Sequence, residues 1–245
     1  MPGPAAQLDA IVIGHVDYGE ADRIVHLLTP NRGRVSALAR RARQSLKRFG
    51  GSLDLGNRLQ VMVRRGRGDL DHLDAAELVH GRPHVRDDLV KMATAAYACE
   101  LVGAVARAEH PEPRLFGLLD VALLVLDAAT GPTSPLMRMG LEAKALAFAG
   151  LRPSLDRCVR CVRPLEEGPI VYRVSAGGVM HESCGGGGEP LTPADARLLE
   201  EALRTPLADL VDRDPPGCSR WVLFEHLCWH TGRTLKSRAL LASVE

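Results

Sequence analysis

From residue 8 to residue 80, short apolar runs recur between clusters of turn-forming residues, the signature of β-strands. Leu8–Ile13 opens one strand. Asp22–Leu28 is a second, stopped by Thr29-Pro30-Asn31-Arg32-Gly33, and Arg34–Ala39 restarts the pattern. Arg58–Arg65 alternates with period two, apolar Leu59, Val61 and Val63 against Gln60, Met62 and Arg64. Gly66–Gly68 turns the chain and Leu70–Leu78 returns. Five short strands with hairpin punctuation predict a small closed barrel of the OB or SH3-like kind. After residue 83 the spacing becomes helical. Leu89, Met92, Ala96, Cys99 and Val102 share one face of a helix over 87–108, and 115–129 and 136–149 predict two more, the last stopped by Gly150. Two β segments, 170–174 and 179–180, flank Gly177-Gly178 and read as a hairpin. Gly185–Gly188 reads as a flexible exit. Thr192-Pro193-Ala194-Asp195 then supplies an N-cap, a proline at the first helical position and an acid in the first turn. A final helix is expected over 219–231, ended by Gly232.

The expected architecture is α+β: an N-terminal OB-fold β-barrel over 1–81, an α-helical domain over 82–150 and 190–245, and a zinc-binding loop, 151–189, inserted in it. The length of 245 residues and a hydrophobic content of 46% allow one large or two small cores.

The inserted loop carries the strongest chemical signal. Cys158, Cys161, His181 and Cys184 form the pattern CVRC-x19-HESC. Two residues between paired ligands let a tight knuckle bend round one ion. Two such knuckles complete a tetrahedral site whose thiolates and one neutral imidazole suit Zn²⁺. Turn-forming residues lie beside both pairs: Pro153, Pro164 and Gly185–Gly188. All four positions are filled by protein, so no open position remains for an activated water, and one structural zinc per chain is expected. A nucleobase deaminase would need H-x-E followed by P-C-x-x-C. Here the CxxC pair precedes the histidine and Glu182 is adjacent to it. No βαβ unit surrounds the CxxC, against a thioredoxin-like dithiol, and the glycine run lacks the Lys-Ser/Thr of a nucleotide loop. The chain is therefore not expected to be an enzyme. The remaining cysteines, Cys99, Cys218 and Cys228, read as small hydrophobes.

Net charge is only +1, but its distribution is uneven. Between residues 32 and 67 there are eleven basic residues and one acid, Asp54. Closing the strands into a barrel would gather arginines from neighbouring strands and loops into a track for a phosphate backbone. Arg34, Arg40, Arg41, Arg43, Lys47, Arg48, Arg64, Arg65 and Arg67 are the candidate DNA-binding residues. Aromatic residues are scarce in this region: Tyr18 and Phe49 are the pair in the barrel. Backbone contact rather than base stacking should therefore dominate, and binding should be nearly blind to sequence. Asp17, Glu20 and Asp22 read as a turn at a strand entrance. Trp221, Phe224, Leu227 and Cys228 read either as core or, for an exposed subset, as a pocket for a partner's apolar tail. The Met1–Pro4 start has no charged, apolar leader pattern, and the longest apolar run, 115–129, is interrupted by Asp120 and Asp127. With free thiols this points to the cytoplasm, where DNA binding would make the protein nucleoid-associated. An alternative reading is a zinc-stabilised adaptor whose basic face docks acidic partner tails.

The run VDYGEADRIVHLLTPNRGRVSALARRARQSLKRFGGSLDL (Val16 to Leu55) resembles the N-terminal domain of the RecO family of recombination mediators. LEAKALAFAGLRPSLDRCVRC (Leu141 to Cys161) and SAGGVMHESC (Ser175 to Cys184) resemble that family's second half. The resemblance implies an OB-fold, a helical domain and, in zinc-bearing members, a four-ligand finger; those members usually have Cys where this chain has His181. It implies binding to single- and double-stranded DNA and annealing of complementary strands. It also implies cooperation with RecR in helping the RecA recombinase displace single-strand DNA-binding protein (SSB). The family's basic face maps onto Arg34, Arg40, Arg41, Arg43, Lys47 and Arg48, whereas Arg64, Arg65 and Arg67 rest on electrostatics alone.

Overall fold

The computed structural model describes residues 5–49, 51–66, 68, 70–131, 133–165, 168–213 and 221–244, apart from the side chains of Leu46 and Lys47. In chain order its elements are strands β1 (Ala5–Tyr18), β2 (Asp22–Thr29) and β3 (Gly33–Ala39), a single helical turn α1 (Leu46–Phe49), and strands β4 (Arg58–Arg64) and β5 (Asp71–His80). Helices α2 (Leu89–Val105), α3 (Pro113–Ala128) and α4 (Pro135–Phe148) follow. Strands β6 (Ile170–Arg173), β7 (Gly178–His181) and β8 (Glu189–Leu191) precede helices α5 (Pro193–Arg204), α6 (Val222–Thr231) and α7 (Ser237–Val244). The chain is thus mixed α+β, and its residues divide into two compact units, 1–128 with 237–244, and 129–236 with 245.

In the first unit the five strands close in the order β1-β2-β3-β5-β4. The two-residue periodicity does the work expected of it. Along β3 buried and half-buried positions alternate strictly, and Leu59, Val61 and Val63 of β4 all point inward. Val25 and Leu27 of β2 stand opposite Ala37 and Val35 of β3, and the small alanines leave room for Phe49 and Leu53 to plug the interior. The pairing of β3 with β5 is parallel and short. A register shift at Gly14 lets β1 run on to Tyr18, so its last residues form a two-stranded ribbon with β2 whose Val16 and Tyr18 are exposed.

Charged residues fasten the helices of this unit. Arg58 of β4 pairs with Asp9 of β1 at 2.7 Å and with Asp120 of α3 at 2.7 Å, and the buried Arg82 donates to the other Asp120 oxygen at 2.6 Å. Asp88 caps α2 by accepting from the Lys91 amide. α7 joins the unit through Glu100, which accepts from the Ser237 amide at 2.8 Å.

The second unit is built on α4, α5 and α6 and a three-stranded sheet ordered β7-β6-β8. Thr192 and Asp195 form a reciprocal capping box at the start of α5. The far end of α5 is closed by Lys144 of α4, whose ammonium donates to the carbonyls of Ala202, Leu203 and Thr205 at 2.7, 2.8 and 2.7 Å. The sheet is tied to the helices by a buried relay. Tyr172 Oη donates to His226 Nδ1 at 2.8 Å, and His226 Nε2 donates to the Leu151 carbonyl at 3.1 Å. No helix among the described residues is long and apolar enough to cross a membrane.

Candidate metal centre and nucleic-acid interface

The two ligand pairs meet. Cys158 and Cys161 lie in the loop that follows α4, His181 ends β7, and Cys184 ends the single helical turn after it. Their ligand atoms all fall within 4.8 Å of one another. Tetrahedral coordination with Zn–S bonds of about 2.3 Å would place thiolates about 3.8 Å apart, so the donors stand where one ion can hold them all.

Backbone hydrogen bonds set this geometry. The Val162 amide donates to the Cys158 carbonyl and the Cys158 amide to the Arg163 carbonyl, closing the first knuckle. Val159 donates to the Val179 carbonyl and Val179 to the Ser154 carbonyl, stitching that knuckle to β7. A Cβ on Gly178 would sit 2.2 Å from the Ser154 carbonyl oxygen, so the close approach demands glycine. The second knuckle is held by Arg160, which donates to the Cys184 carbonyl, and by Arg173, which donates to the Gly185 carbonyl at 3.0 Å.

His181 is oriented for ligation. Its Nε2 lies 3.1 Å from the Pro164 carbonyl, a group that can only accept, so that nitrogen carries the proton. The Nδ1 lone pair then faces Cys161 Sγ at 3.5 Å and Cys184 Sγ at 3.9 Å. A histidine whose second nitrogen is fixed by a carbonyl is the usual arrangement at a metal. Donation from the Arg163 backbone and side chain lowers the Cys161 thiol to about 6, which favours the thiolate a metal needs. At Cys158 burial acts upward, but the backbone N–H groups of Cys161, His181 and Arg160 outweigh it and hold the thiol below its ordinary value. Burial raises Cys184. The buried Cys99 has its thiol pushed up to about 12 by desolvation, in keeping with a packing role. Cys218 lies outside the described residues.

The basic residues are distributed less evenly than the sequence suggests. Arg40, Arg41 and Arg43 in the loop that follows β3 and Arg48 in α1 crowd together, and all four are exposed. Among the described residues the side chains of Arg40 and Arg41 make no hydrogen bond or ion pair. Arg43 donates to the Glu20 carbonyl and lies 3.8 Å from Asp17. Arg48 donates to the Arg40 carbonyl at 2.7 Å and lies over the Phe49 ring. The acidic turn 17–22 anchors this loop: Asp22 accepts from the Arg41 amide at 2.8 Å, and the Ala21 carbonyl accepts from the Arg43 amide. Beside the loop lies a groove of about 310 Å³ lined by Arg23, Arg43, Ser45, Phe49 and Asp54 among others.

Arg34, Arg64 and Arg65 are already engaged. Arg34 donates to the Gly103 carbonyl at 3.0 Å, Arg64 grips Asp74 through two nitrogens at 2.5 and 2.7 Å, and Arg65 pairs with Glu109. The Lys47 side chain and Arg67 lie outside the described residues. Phe49 is buried in the barrel, leaving Tyr18 as the exposed aromatic of the pair.

Two family models together cover nearly the whole sequence: Recombination protein O N terminal over residues 4–82 and Recombination protein O C terminal over residues 86–239. The chain belongs to the RecO family. It is 39% identical over 251 residues to DNA repair protein RecO of Anaeromyxobacter dehalogenans (strain 2CP-1 / ATCC BAA-258), covering 98% of this chain and 96% of that protein. DNA repair protein RecO of Myxococcus xanthus (strain DK1622) is 39% identical over 246 residues, covering 96% of each. That of Geobacter sulfurreducens is 37% identical over 237 residues, covering 95% of this chain and 96% of the relative. RecO membership supports a role in recombination and DNA repair.

Proposed function

We propose that this RecO chain is a non-enzymatic, DNA-binding recombination mediator. It binds single- and double-stranded DNA through the loop that follows β3, anneals complementary strands, and works with RecR to load the RecA recombinase onto strands coated with SSB. The observation that carries the DNA contact is the exposed, weakly compensated cluster of Arg40, Arg41, Arg43 and Arg48 beside a closed five-stranded barrel, which we read as an OB-fold over residues 1–81. Annealing follows from the same chemistry: two polyanions repel less once guanidinium groups screen them. Arginine suits the task because its planar fork matches phosphate oxygens without reading bases. The helical residues 82–150 and 190–245 then serve as the frame, and the 151–189 loop as a zinc-stapled insertion. Cys158, Cys161, His181 and Cys184 would hold one Zn²⁺ with no open coordination position, so the metal stabilises the loop and does no chemistry.

Titration of fluorescent oligonucleotides against salt tests the reading. If the four loop arginines and Lys47 each neutralise one phosphate, log K should fall with log salt at a slope of about −3.5 for single strands. Binding that ignores salt would reject the mechanism. Elemental analysis should return about one zinc per chain, and fully folded, metal-free protein would remove the staple.

A further inference from the structure

Beside the start of β3, two arginines converge on one carboxylate. Arg32 sits in the turn between β2 and β3, and Arg65 follows β4. Glu109 lies in the loop after α2. Arg32 donates to Glu109 from Nη2 at 2.5 Å and from Nε at 3.2 Å, and Arg65 Nη2 donates to the same carboxylate. Arg32 also donates to Asp71 at 2.8 Å, but the two acids differ. Asp71 is buried and accepts from the Gly66 amide, which builds it into the turn between β4 and β5. Glu109 has a side chain 42% exposed, and its backbone is left-handed, at φ 55°, a conformation uncommon for a residue other than glycine. Arg65 is 63% exposed.

From this arrangement we infer that Arg32 and Arg65 form a phosphate-binding subsite in which Glu109 stands in for the anion until a nucleic-acid backbone displaces it. A phosphodiester carries the same single charge as a carboxylate and accepts from arginine in the same forked geometry. Exchange therefore keeps the local charge balanced: Arg32 stays with Asp71, Arg65 passes from carboxylate to phosphate, and Glu109 swings into water. Gly33 to Ala39 lie between Arg32 and Arg40, a span of about 20 Å at the rise of a β-strand. The ligand class rests on the nucleic-acid reading above; the subsite itself rests on the shared carboxylate.

The test compares the full chain with Glu109→Gln and Glu109→Ala in binding a mixed-sequence single-stranded oligonucleotide by anisotropy across a salt series. Both variants should bind roughly 3- to 10-fold tighter at low salt, with a log–log slope steeper by about 0.7 for each cation released. Adding Arg65→Ala should erase the gain, and Glu77→Gln, an exposed acid on β5, should give none. Unchanged affinity and slope in both Glu109 variants, or an equal gain from Glu77→Gln, overturns the inference. Inorganic phosphate alone provides a separate arm. It should shift the ¹⁵Nε resonances of Arg32 and Arg65 in Glu109→Gln and leave them unmoved in wild type. That shift would stand even if Arg40 and Arg41 proved irrelevant to DNA. Its absence, with the Arg40 loop still binding DNA, would sink the subsite alone.

Discussion

His226 gives the second unit a built-in sensitivity to acid. The imidazole is 2% exposed and fully committed as a neutral ring: Nδ1 accepts from Tyr172 and Nε2 donates to Leu151. A second proton on Nδ1 would break the Tyr172 bond and bury a charge. Desolvation, helped by the neighbouring His230, accordingly lowers its pKa to about 4 from 6.5. In the unfolded chain the ring titrates near 6.5. Above that pH both states are neutral and the group makes no difference. As pH falls from 6.5 toward 4 the unfolded state takes up a proton that the folded state refuses, so stability drops. At 1.36 kcal/mol per pKa unit the loss approaches about 3 kcal/mol by pH 4. Urea denaturation of wild type and His226→Gln at pH 7, 5.5 and 4.5 isolates the effect. The variant starts less stable because it loses packing and one hydrogen bond, but its stability should fall less steeply with acid. Parallel pH profiles for the two proteins would refute the reasoning.

Val162, β-branched, exposed and at φ 62°, occupies a left-handed position after the first knuckle. Left-handed backbone costs an L-residue about 1–2 kcal/mol, and glycine gives back about 0.5–1 as unfolded-state entropy. Val162→Gly should therefore tighten metal retention by about 0.5–1 kcal/mol in a chelator competition; weaker retention would contradict the strain. Gly33→Ala would place a Cβ 2.2 Å from the Arg107 carbonyl at φ 59°, and should cost at least about 2 kcal/mol in thermal or urea unfolding. Cys161→Ser should lose the metal and expose residues 154–190 to protease while the barrel stays folded, as read by fragment mapping.

Much of the fold was legible because it is written in local periodicity. The alternation over Leu59, Val61 and Val63, the Thr192-Asp195 cap and the Gly232 stop each act over a few residues, and each appears where expected. The Cys/His cluster was legible for a similar reason, since knuckle spacing is a local requirement. The strand β8 and the helix α7 were not expected. The first pairs through a glycine-rich exit that reads as loose, and the second is one short amphipathic segment that acquires its place from Glu100. The ribbon beyond Gly14 was missed because its residues alternate without a buried face.

The basic patch shows most clearly what a linear reading lacks. Arg34, Arg64 and Arg65 look like Arg40 and Arg41 in the sequence, yet Gly103, Asp74 and Glu109 already hold them, the first and last from far along the chain and Asp74 from the neighbouring strand. Counting charges cannot separate a cation facing a carboxylate from one facing water. The turn at Asp17–Asp22, in contrast, proved to be the anchor of the arginine loop, a role that appears when the Arg41 amide meets Asp22.

The most direct measurement is binding of the double variant Arg40→Glu, Arg41→Glu to several single-stranded oligonucleotides of unrelated sequence, each across the same salt series. Affinity should fall by a similar factor for every sequence, and the salt slope should flatten by about 1.4, two cations at about 0.7 each. Unchanged binding, or loss confined to one sequence, would contradict a backbone contact centred on this loop.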